Sequence, residues 1–184
     1  SVFIVMELMP AGSLDACIKQ WPTGKLPEAL SARFTRDILR ALAFLHSHHV
    51  CHYDVKPANC LLAVDGSVKL TDFGIDRADA QSAYSRPSTL KSKLAYRAPE
   101  RIQHREVDHR SDVYSLGVLL YEMLSGTRPF AGESKLDTAT AILRDDPQPL
   151  AELRRDVGAA LRDYGRSTTW DQVARQHLAV FARA

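Results

Sequence analysis

The most informative part of the sequence is VCHYDVKPAN, residues 50–59. It places a carboxylate (Asp54), an ammonium group (Lys56) and an amide (Asn59) close together, and Pro57 restricts the backbone between them. Farther along comes DFG, residues 72–74, in which the glycine permits a turn that a β-carbon would hinder. The first of these motifs follows immediately after an apolar segment that is predicted to be helical.

A β-hairpin is predicted between the two motifs. Residues 60–64 and 67–71 are strand-like, and the Asp65-Gly66 pair between them favours a two-residue turn. A folded hairpin brings Asp72 back near Asn59. One carboxylate and one amide then offer the hard oxygen ligands that a cation such as Mg²⁺ prefers.

In this arrangement Asp54 and Lys56 do not bind the cation and remain free to take part in a reaction. Asp54 can orient or deprotonate a hydroxyl, and Lys56 supplies positive charge where a phosphoryl group transfers. Taken alone, Asp54 could also be read as a loop-capping residue. The register with Lys56, Asn59 and Asp72 favours the chemical interpretation.

The surrounding sequence is mainly helical. Apolar residues recur at helical spacing over residues 28–48, which predicts an amphipathic helix. Ser13 is placed to cap a short helix over Leu14–Gln20. Residues 116–124 are apolar on nearly every side and precede Gly126, which predicts a buried central helix that ends there. Residues 2–8 are predicted to form a buried strand.

Composition is that of an ordinary globular protein. The chain has 184 residues, of which 45% are hydrophobic and 25% charged, and this excludes a disordered or collagen-like chain. The net charge of +2 shows no electrostatic footprint for nucleic acid, so no nucleic-acid partner is expected. No run reaches the roughly 18 apolar residues of a membrane span. Three cysteines without a C-x-x-C pair favour a reducing, cytoplasmic compartment.

The motifs together resemble the catalytic core of the protein kinases. Five pieces carry the resemblance, in the family's order: His52-x-Asp54-x-Lys56-x-x-Asn59, Asp72-Phe73-Gly74, Ala98-Pro99-Glu100, Ser111-Asp112-Val113-Tyr114-Ser115-Leu116-Gly117, and Gly126-x-x-Pro129-Phe130. The resemblance as a whole covers about residues 1–146. The implied fold is mainly α with a small β-hairpin, the carboxy-terminal lobe of a kinase without most of the amino-terminal lobe.

The resemblance implies roles for the catalytic residues. Asp54 would be the catalytic base, Lys56 would steady the γ-phosphate, and Asn59 and Asp72 would hold Mg²⁺ or Mn²⁺ on ATP. A lysine two residues after the catalytic aspartate is similar to the serine/threonine kinases. The segment that includes Lys93, where many relatives carry threonine, looks bacterial.

Further residues would bind the nucleotide or support the site. Met6 would be the gatekeeper, the backbone of Glu7 and Met9 would bond adenine, and Leu61 would lie beneath it. Structural support would come from five residues, with His52 packed under the Phe73 ring and Asp112 bonded to catalytic-loop amides: His52, Phe73, Gly74, Glu100 and Asp112. Glu100 would pair with an arginine, for which Arg154, Arg155, Arg162 and Arg166 are candidates.

Three departures from the family pattern set further expectations. No glycine-rich phosphate loop precedes Met6, so residues 1–9 are expected to be the last strand of the amino-terminal lobe and the hinge. Residues 10–162 would be the carboxy-terminal lobe, and residues 163–184 a divergent helical tail. Tyr53 replaces the arginine that pairs with a phosphorylated activation loop, which argues against activation by phosphorylation. Ser88, Thr89 and Ser92 are either phosphosites or part of a solvated stretch.

The predicted function is transfer of the ATP γ-phosphoryl group to serine or threonine hydroxyls of a protein substrate, performed by the complete protein. Two alternatives remain: a pseudokinase-like binding scaffold and an inactive truncated remnant. The histidines His46, His48 and His49 fit a helix C-terminus better than a metal site.

Overall fold

The computed structural model describes residues 5–73 and 93–153. Helices dominate, and the sheet within these ranges has two antiparallel strands. In chain order the elements are α1 (Leu14–Gln20), α2 (Glu28–Ser47), a 3₁₀ turn (Pro57–Asn59), β1 (Cys60–Leu62), β2 (Val68–Leu70), α3 (Pro99–Ile102), α4 (Arg110–Ser125), α5 (Lys135–Arg144) and α6 (Leu150–Leu153). The expected mainly helical chain with a small hairpin is confirmed for this part of the sequence.

The core forms where α1, α2, α4 and the hairpin meet. Helix α2 buries Phe34, Ile38 and Leu42, the face that the apolar spacing predicted, against Leu119 and Met123 of α4. Ser13 caps α1 as predicted, since its side chain accepts a hydrogen bond from the Ala16 amide at 3.3 Å. This core fixes the two ends of the segment 50–59, because α2 leads into that segment and β1 leads out of it.

Helix α4 is buried along most of its length, as its apolar composition predicted. Gly126 ends it in the left-handed conformation, with φ of 76° and its amide bonded to the Glu122 carbonyl. The loop before α2 packs directly against this end: the Leu26 amide donates to the Met123 carbonyl at 2.7 Å. The carboxyl end of α4 is thereby fixed against the loop that precedes α2.

Gly126→Ala is expected to destabilise the protein by more than the conformational penalty alone. A β-carbon there would lie 2.8 Å from the Gly24 carbonyl oxygen, in addition to the strain of a positive φ. Gly12→Ala is the matched control, because Gly12 has φ of 78° and nothing within 4 Å of its β-carbon position. Urea denaturation should show the larger loss for Gly126→Ala, of about 1–3 kcal/mol. Equal losses would mean that the contact with Gly24 does not matter.

The hairpin has a different turn from the predicted one. Ala63 and Ser67 close the ladder, with the Ala63 amide 3.0 Å from the Ser67 carbonyl, so the loop is the three residues 64–66. Among the three loop residues only Gly66 has a positive φ. The Asp65 carboxylate accepts a hydrogen bond from the Ser67 amide at 2.8 Å. The two-residue turn was wrong because the aspartate side chain stabilises a loop that needs one left-handed residue rather than two.

The buried strand predicted over residues 2–8 was also wrong for residues 5–8, the part that the structure describes. Residues 5–8 form no strand, and Val5 and Leu8 are 96% and 85% exposed. A strand needs a partner for its backbone groups. Within the described residues the sheet consists of β1 and β2, and the further bridge of β1 joins Leu61 to Ser13 rather than to residues 5–8. Across residues 5–73 and 93–153 no helix has the length and apolar character needed to cross a membrane.

Candidate active site

The buried carboxylate of Asp112 holds the loop that carries Asp54. Asp112 is fully buried in the first turn of α4, and its two oxygens accept the His52 amide at 2.8 Å and the Tyr53 amide at 2.7 Å. These are the backbone contacts that the kinase resemblance implies for it. A carboxylate that accepts two amides and is shielded from water is a rigid anchor for the loop.

His46 completes this anchor, and the sequence analysis did not identify it. Its Nε2 lies 2.8 Å from Asp112 Oδ2, so the last turn of α2 and the first turn of α4 meet through one carboxylate. The sequence signal was a histidine at the end of α2, which was interpreted through the helix dipole. Because 66 positions separate the two residues in the sequence, spacing gave no sign of the pair.

Asp54, Lys56 and Asn59 come together as the sequence predicted. Lys56 Nζ forms an ion pair with Asp54 Oδ2, and Asn59 Nδ2 lies 3.0 Å from the same oxygen and 2.9 Å from the Asp54 carbonyl. The side chains of Asp54 and Lys56 are 14% and 13% exposed. The carboxylate is therefore largely shielded, oriented from two sides, and still open to a small group.

The hairpin brings the backbone before Asp72 to Asn59. The Thr71 amide donates to the Asn59 carbonyl at 3.0 Å, and Asp72 follows with φ of 62° and an exposed side chain. Asn59 Nδ2 is committed to Asp54, so the oxygen Oδ1 is the atom left to face a cation. The donor set, one amide oxygen and one carboxylate, fits Mg²⁺, which keeps several positions for water and phosphate. No larger metal site competes with it: among the described residues no three His, Cys, Asp or Glu side chains gather as ligands.

A second lysine approaches the Asp54 carboxylate. Lys93 Nζ lies 3.8 Å from Asp54 Oδ2, and the Lys93 side chain is 22% exposed. The sequence analysis placed Lys93 in the segment before Ala98-Pro99-Glu100 but did not predict this contact. The signal was the lysine at a position where relatives carry threonine, since an ammonium on a long stem can reach a carboxylate that a threonine cannot.

The segment that carries Lys93 is fixed on α4. The Tyr96 hydroxyl donates to the Glu122 carboxylate, and the Ser115 hydroxyl donates to the Tyr96 carbonyl at 2.7 Å. Burial raises the pKa of Glu122 above its ordinary value, and it also raises the pKa of Tyr96. Helix α4 therefore positions both the catalytic loop, through Asp112, and the facing segment.

His52 supports the loop as a neutral ring. It is fully buried, its Nδ1 accepts the Asp54 amide at 3.2 Å, and its Nε2 lies 3.0 Å from the Thr71 carbonyl. Both contacts need a ring that is protonated on Nε2 only. Burial lowers the pKa of His52 below its ordinary value, against the opposing charge of Asp112, which agrees with that tautomer. The ring links the catalytic loop to the end of β2.

Phe73 does not provide the buried support that was expected of it. Its side chain is 56% exposed, whereas the His52 ring is buried among backbone groups of the catalytic loop and the hairpin. Hydrogen bonds to backbone groups hold the imidazole, and the packing of His52 under the Phe73 ring stays a prediction. Gly74, Ser88, Thr89 and Ser92 lie outside the described residues.

Protonation of His52 is expected to weaken the fold at low pH. Because its pKa is lower in the folded state, the unfolded chain binds more protons below pH 6.5 or so. The free energy of unfolding should therefore fall as the pH drops from about 6.5 through the folded pKa, and be fully retained above that window. A proton NMR titration of the His52 ring, with urea unfolding of wild type and His52→Gln at each pH, measures both quantities. A normal pKa with parallel stability profiles would contradict the assignment.

The residues expected around adenine line one side of the hairpin. Met6 Sδ lies 3.6 Å from the Thr71 hydroxyl, and Glu7 pairs with Lys69 of β2. The Leu62 amide donates to the Gly12 carbonyl at 2.8 Å, which places the segment containing Met9 beside β1 and Leu61. The structure thus brings Met6 and Glu7 to β2 and its end, opposite Leu61 of β1, whereas the Met9 carbonyl accepts a turn bond from the Gly12 amide at 3.3 Å.

Glu100 has a partner that the sequence analysis did not predict. Its carboxylate accepts a hydrogen bond from the Ser111 hydroxyl, which ties α3 to the start of α4. The arginines predicted to pair with it, at positions 154, 155, 162 and 166, lie outside the described residues. The Ser111 contact joins the short helix α3 to the first turn of α4.

Comparison with known proteins agrees with this geometry. The family model described as protein kinase domain matches residues 1–174. That match extends into the tail predicted to diverge after residue 162, and it does not confirm that the carboxy-terminal lobe alone is present.

Curated relatives are bacterial kinases. The chain is 38% identical over 170 residues to a protein named serine/threonine-protein kinases PknA from Corynebacterium glutamicum, covering 89% of this chain and 36% of that protein. It is 41% identical over 137 residues to serine/threonine-protein kinase PknL of Mycobacterium tuberculosis, covering 74% of this chain and 34% of the relative. It is 36% identical over 160 residues to serine/threonine-protein kinase PknB of Mycobacterium leprae, covering 86% of this chain and 25% of the relative. The chain spans about a third of the length of the first two and a quarter of the third. It belongs to the protein kinase family, and these three relatives are bacterial serine/threonine kinases.

Proposed function

We propose that the protein transfers the γ-phosphoryl group of ATP to serine or threonine hydroxyls of a protein substrate. The observation that supports this most is the convergence of Lys56 and Asn59 on the Asp54 carboxylate. A carboxylate held in this way can accept the proton of an incoming hydroxyl. Phosphoryl transfer needs little covalent help, so positioned charge and a base suffice.

Each residue of the site has a distinct task in this proposal. Asp54 orients the acceptor hydroxyl and takes its proton, and Lys56 supplies positive charge beside it. Asn59 Oδ1 and the Asp72 carboxylate would hold Mg²⁺ or Mn²⁺ together with the phosphates of ATP. When bound, the cation neutralises negative charge on the phosphates. Met6, Glu7, Met9 and Leu61 would bind the adenine.

The state of the cysteines also favours one cellular compartment for the protein. All three cysteines, Cys17, Cys51 and Cys60, are free, and burial raises the pKa of the Cys60 thiol to about 12. Together with ATP as phosphoryl donor, free thiols support a cytoplasmic location for this domain. A protein hydroxyl is the proposed acceptor, and the nature of the substrate is left to the assay.

The test is a transfer assay with γ-³²P-ATP and Mg²⁺, using the natural full-length protein and a mixture of serine- and threonine-containing peptides. We expect labelled phosphoserine or phosphothreonine, and loss of label when EDTA removes the cation. Wild-type protein that binds Mg²⁺–ATP but transfers no phosphate to any protein acceptor would favour the pseudokinase-like scaffold. Wild-type protein that neither binds nor transfers would favour the inactive remnant.

A further inference from the structure

Tyr53 has a strained backbone immediately before the catalytic aspartate. Its φ is 65°, in the left-handed region that residues other than glycine seldom adopt. Such a conformation persists only where the surroundings fix it, and it is typical of functional sites. Asp112 fixes the amide of Tyr53 at 2.7 Å. That contact leaves the carbonyl group and the ring to be held by other residues.

Arg101 holds both of these groups. Its guanidinium donates a hydrogen bond to the Tyr53 carbonyl, and the guanidinium carbon lies 5.2 Å from the centroid of the Tyr53 ring. This distance is within the range of an attractive cation–π contact. A planar guanidinium can donate along its edge and stack with its face at the same time, which an ammonium cannot do. Tyr53 is therefore held by Asp112 at its amide and by Arg101 at its carbonyl and its ring.

The position of Arg101 connects its contacts with Tyr53 to helices α3 and α4. Arg101 lies in α3, directly after Glu100, whose carboxylate accepts the Ser111 hydroxyl of α4. Arg101, Tyr53 and Asp54 also line one cavity, together with Lys93. The carbonyl that Arg101 binds belongs to the peptide unit whose nitrogen is the Asp54 amide. A shift of that peptide unit would move the catalytic carboxylate directly.

We propose that Arg101 is a positioning residue that holds the Tyr53–Asp54 peptide in its strained, active geometry; the proposal rests on the kinase function proposed above. Tyr53 occupies the position at which, by the kinase resemblance, an arginine would form an ion pair with a phosphorylated activation loop. Arg101 reaches the same loop from α3 with its charge already in place. The loop that carries Asp54 is thereby held by a contact that needs no phosphate.

The test compares Arg101→Met, Arg101→Lys and Tyr53→Leu in the natural full-length protein. Arg101→Met should lower kcat by about ten- to a hundredfold, because the catalytic group is misplaced, and leave the KM for ATP near its wild-type value. Arg101→Lys keeps a donor and a charge and should restore part of kcat. Arg101→Met and Tyr53→Leu combined should lose less than the product of the two single losses, since both remove the contact between the guanidinium and the Tyr53 ring.

Hydrogen exchange supplies a readout that does not depend on activity. The Asp54 amide bonds to His52 Nδ1 at 3.2 Å, and Arg101→Met should speed its exchange while protection in α2 stays unchanged. Arg105→Met is the matched control, an exposed arginine in the segment after α3, and it should change neither kcat nor exchange. A wild-type kcat in Arg101→Met would overturn the role of Arg101, and fully multiplicative losses in the double variant would overturn the part of that role that depends on the Tyr53 ring. Wild-type protein without transfer activity would instead overturn the proposed function.

Discussion

Asp54→Asn should lower kcat for phosphoryl transfer by a factor of about 10²–10⁴ and leave the affinity for Mg²⁺–ATP nearly unchanged. The substitution keeps the size of the side chain and an oxygen that can accept from Lys56 and Asn59. It removes the negative charge and the ability to take a proton from the acceptor hydroxyl. The loss should therefore be confined to the chemical step, which single-turnover kinetics of the full-length protein measure.

The control for Asp54→Asn is Asp146→Asn, which makes the same chemical change at an exposed position before the loop at Pro147. It should leave kcat and nucleotide affinity at their wild-type values. An Asp54→Asn variant that kept its kcat would show that another group receives the proton. A variant that lost nucleotide binding as well would show that Asp54 helps to hold the metal or the phosphates.

Asp112→Ala should have the largest effect on stability. It removes an acceptor that is fully buried and leaves the His52 and Tyr53 amides and the His46 ring without their partner. Removing one member of a buried charged network costs about 3–5 kcal/mol, which is a large share of the stability of a domain. Urea denaturation followed by circular dichroism should show this loss as a lower midpoint.

A milder variant separates anchoring of the loop from global folding. Asp112→Asn keeps one acceptor oxygen but presents an NH₂ group to a backbone amide, so it should be less destabilising than alanine and should still lower kcat. Asp146→Ala, at an exposed site, should change the free energy of unfolding by less than about 0.5 kcal/mol. A stable, fully active Asp112→Ala protein would mean that the loop keeps its geometry without this anchor.

Local sequence rules predicted the elements that depend on local chemistry. The face of α2, the Ser13 cap of α1 and the end of α4 at Gly126 follow from apolar spacing, a hydroxyl at the right position and a residue tolerant of positive φ. The family motif predicted the cluster around Asp54 for the same reason. Its members are close in sequence, or are joined by a short hairpin.

Contacts between distant segments could not be predicted in this way. His46 with Asp112, Lys93 with Asp54 and Arg101 with Tyr53 each join residues whose separation carries no periodic signal. They depend on how α2, α3 and α4 pack, which is decided by the whole core.

Two local predictions failed because a competing interaction won. The Asp65 side chain stabilised a longer loop, and residues 5–8 lacked a neighbouring strand among the described residues.

The central claim is that Asn59 and Asp72 hold a divalent cation on ATP beside Asp54. Its most direct test is an electron paramagnetic resonance titration of Mn²⁺ with the full-length protein and ATP. Wild type and Asp54→Asn should bind Mn²⁺ in a nucleotide-dependent way, whereas Asp72→Asn and Asn59→Leu should bind it at least tenfold more weakly, as expected when one of few protein ligands is lost. Equal Mn²⁺ affinity in all four proteins would contradict the account.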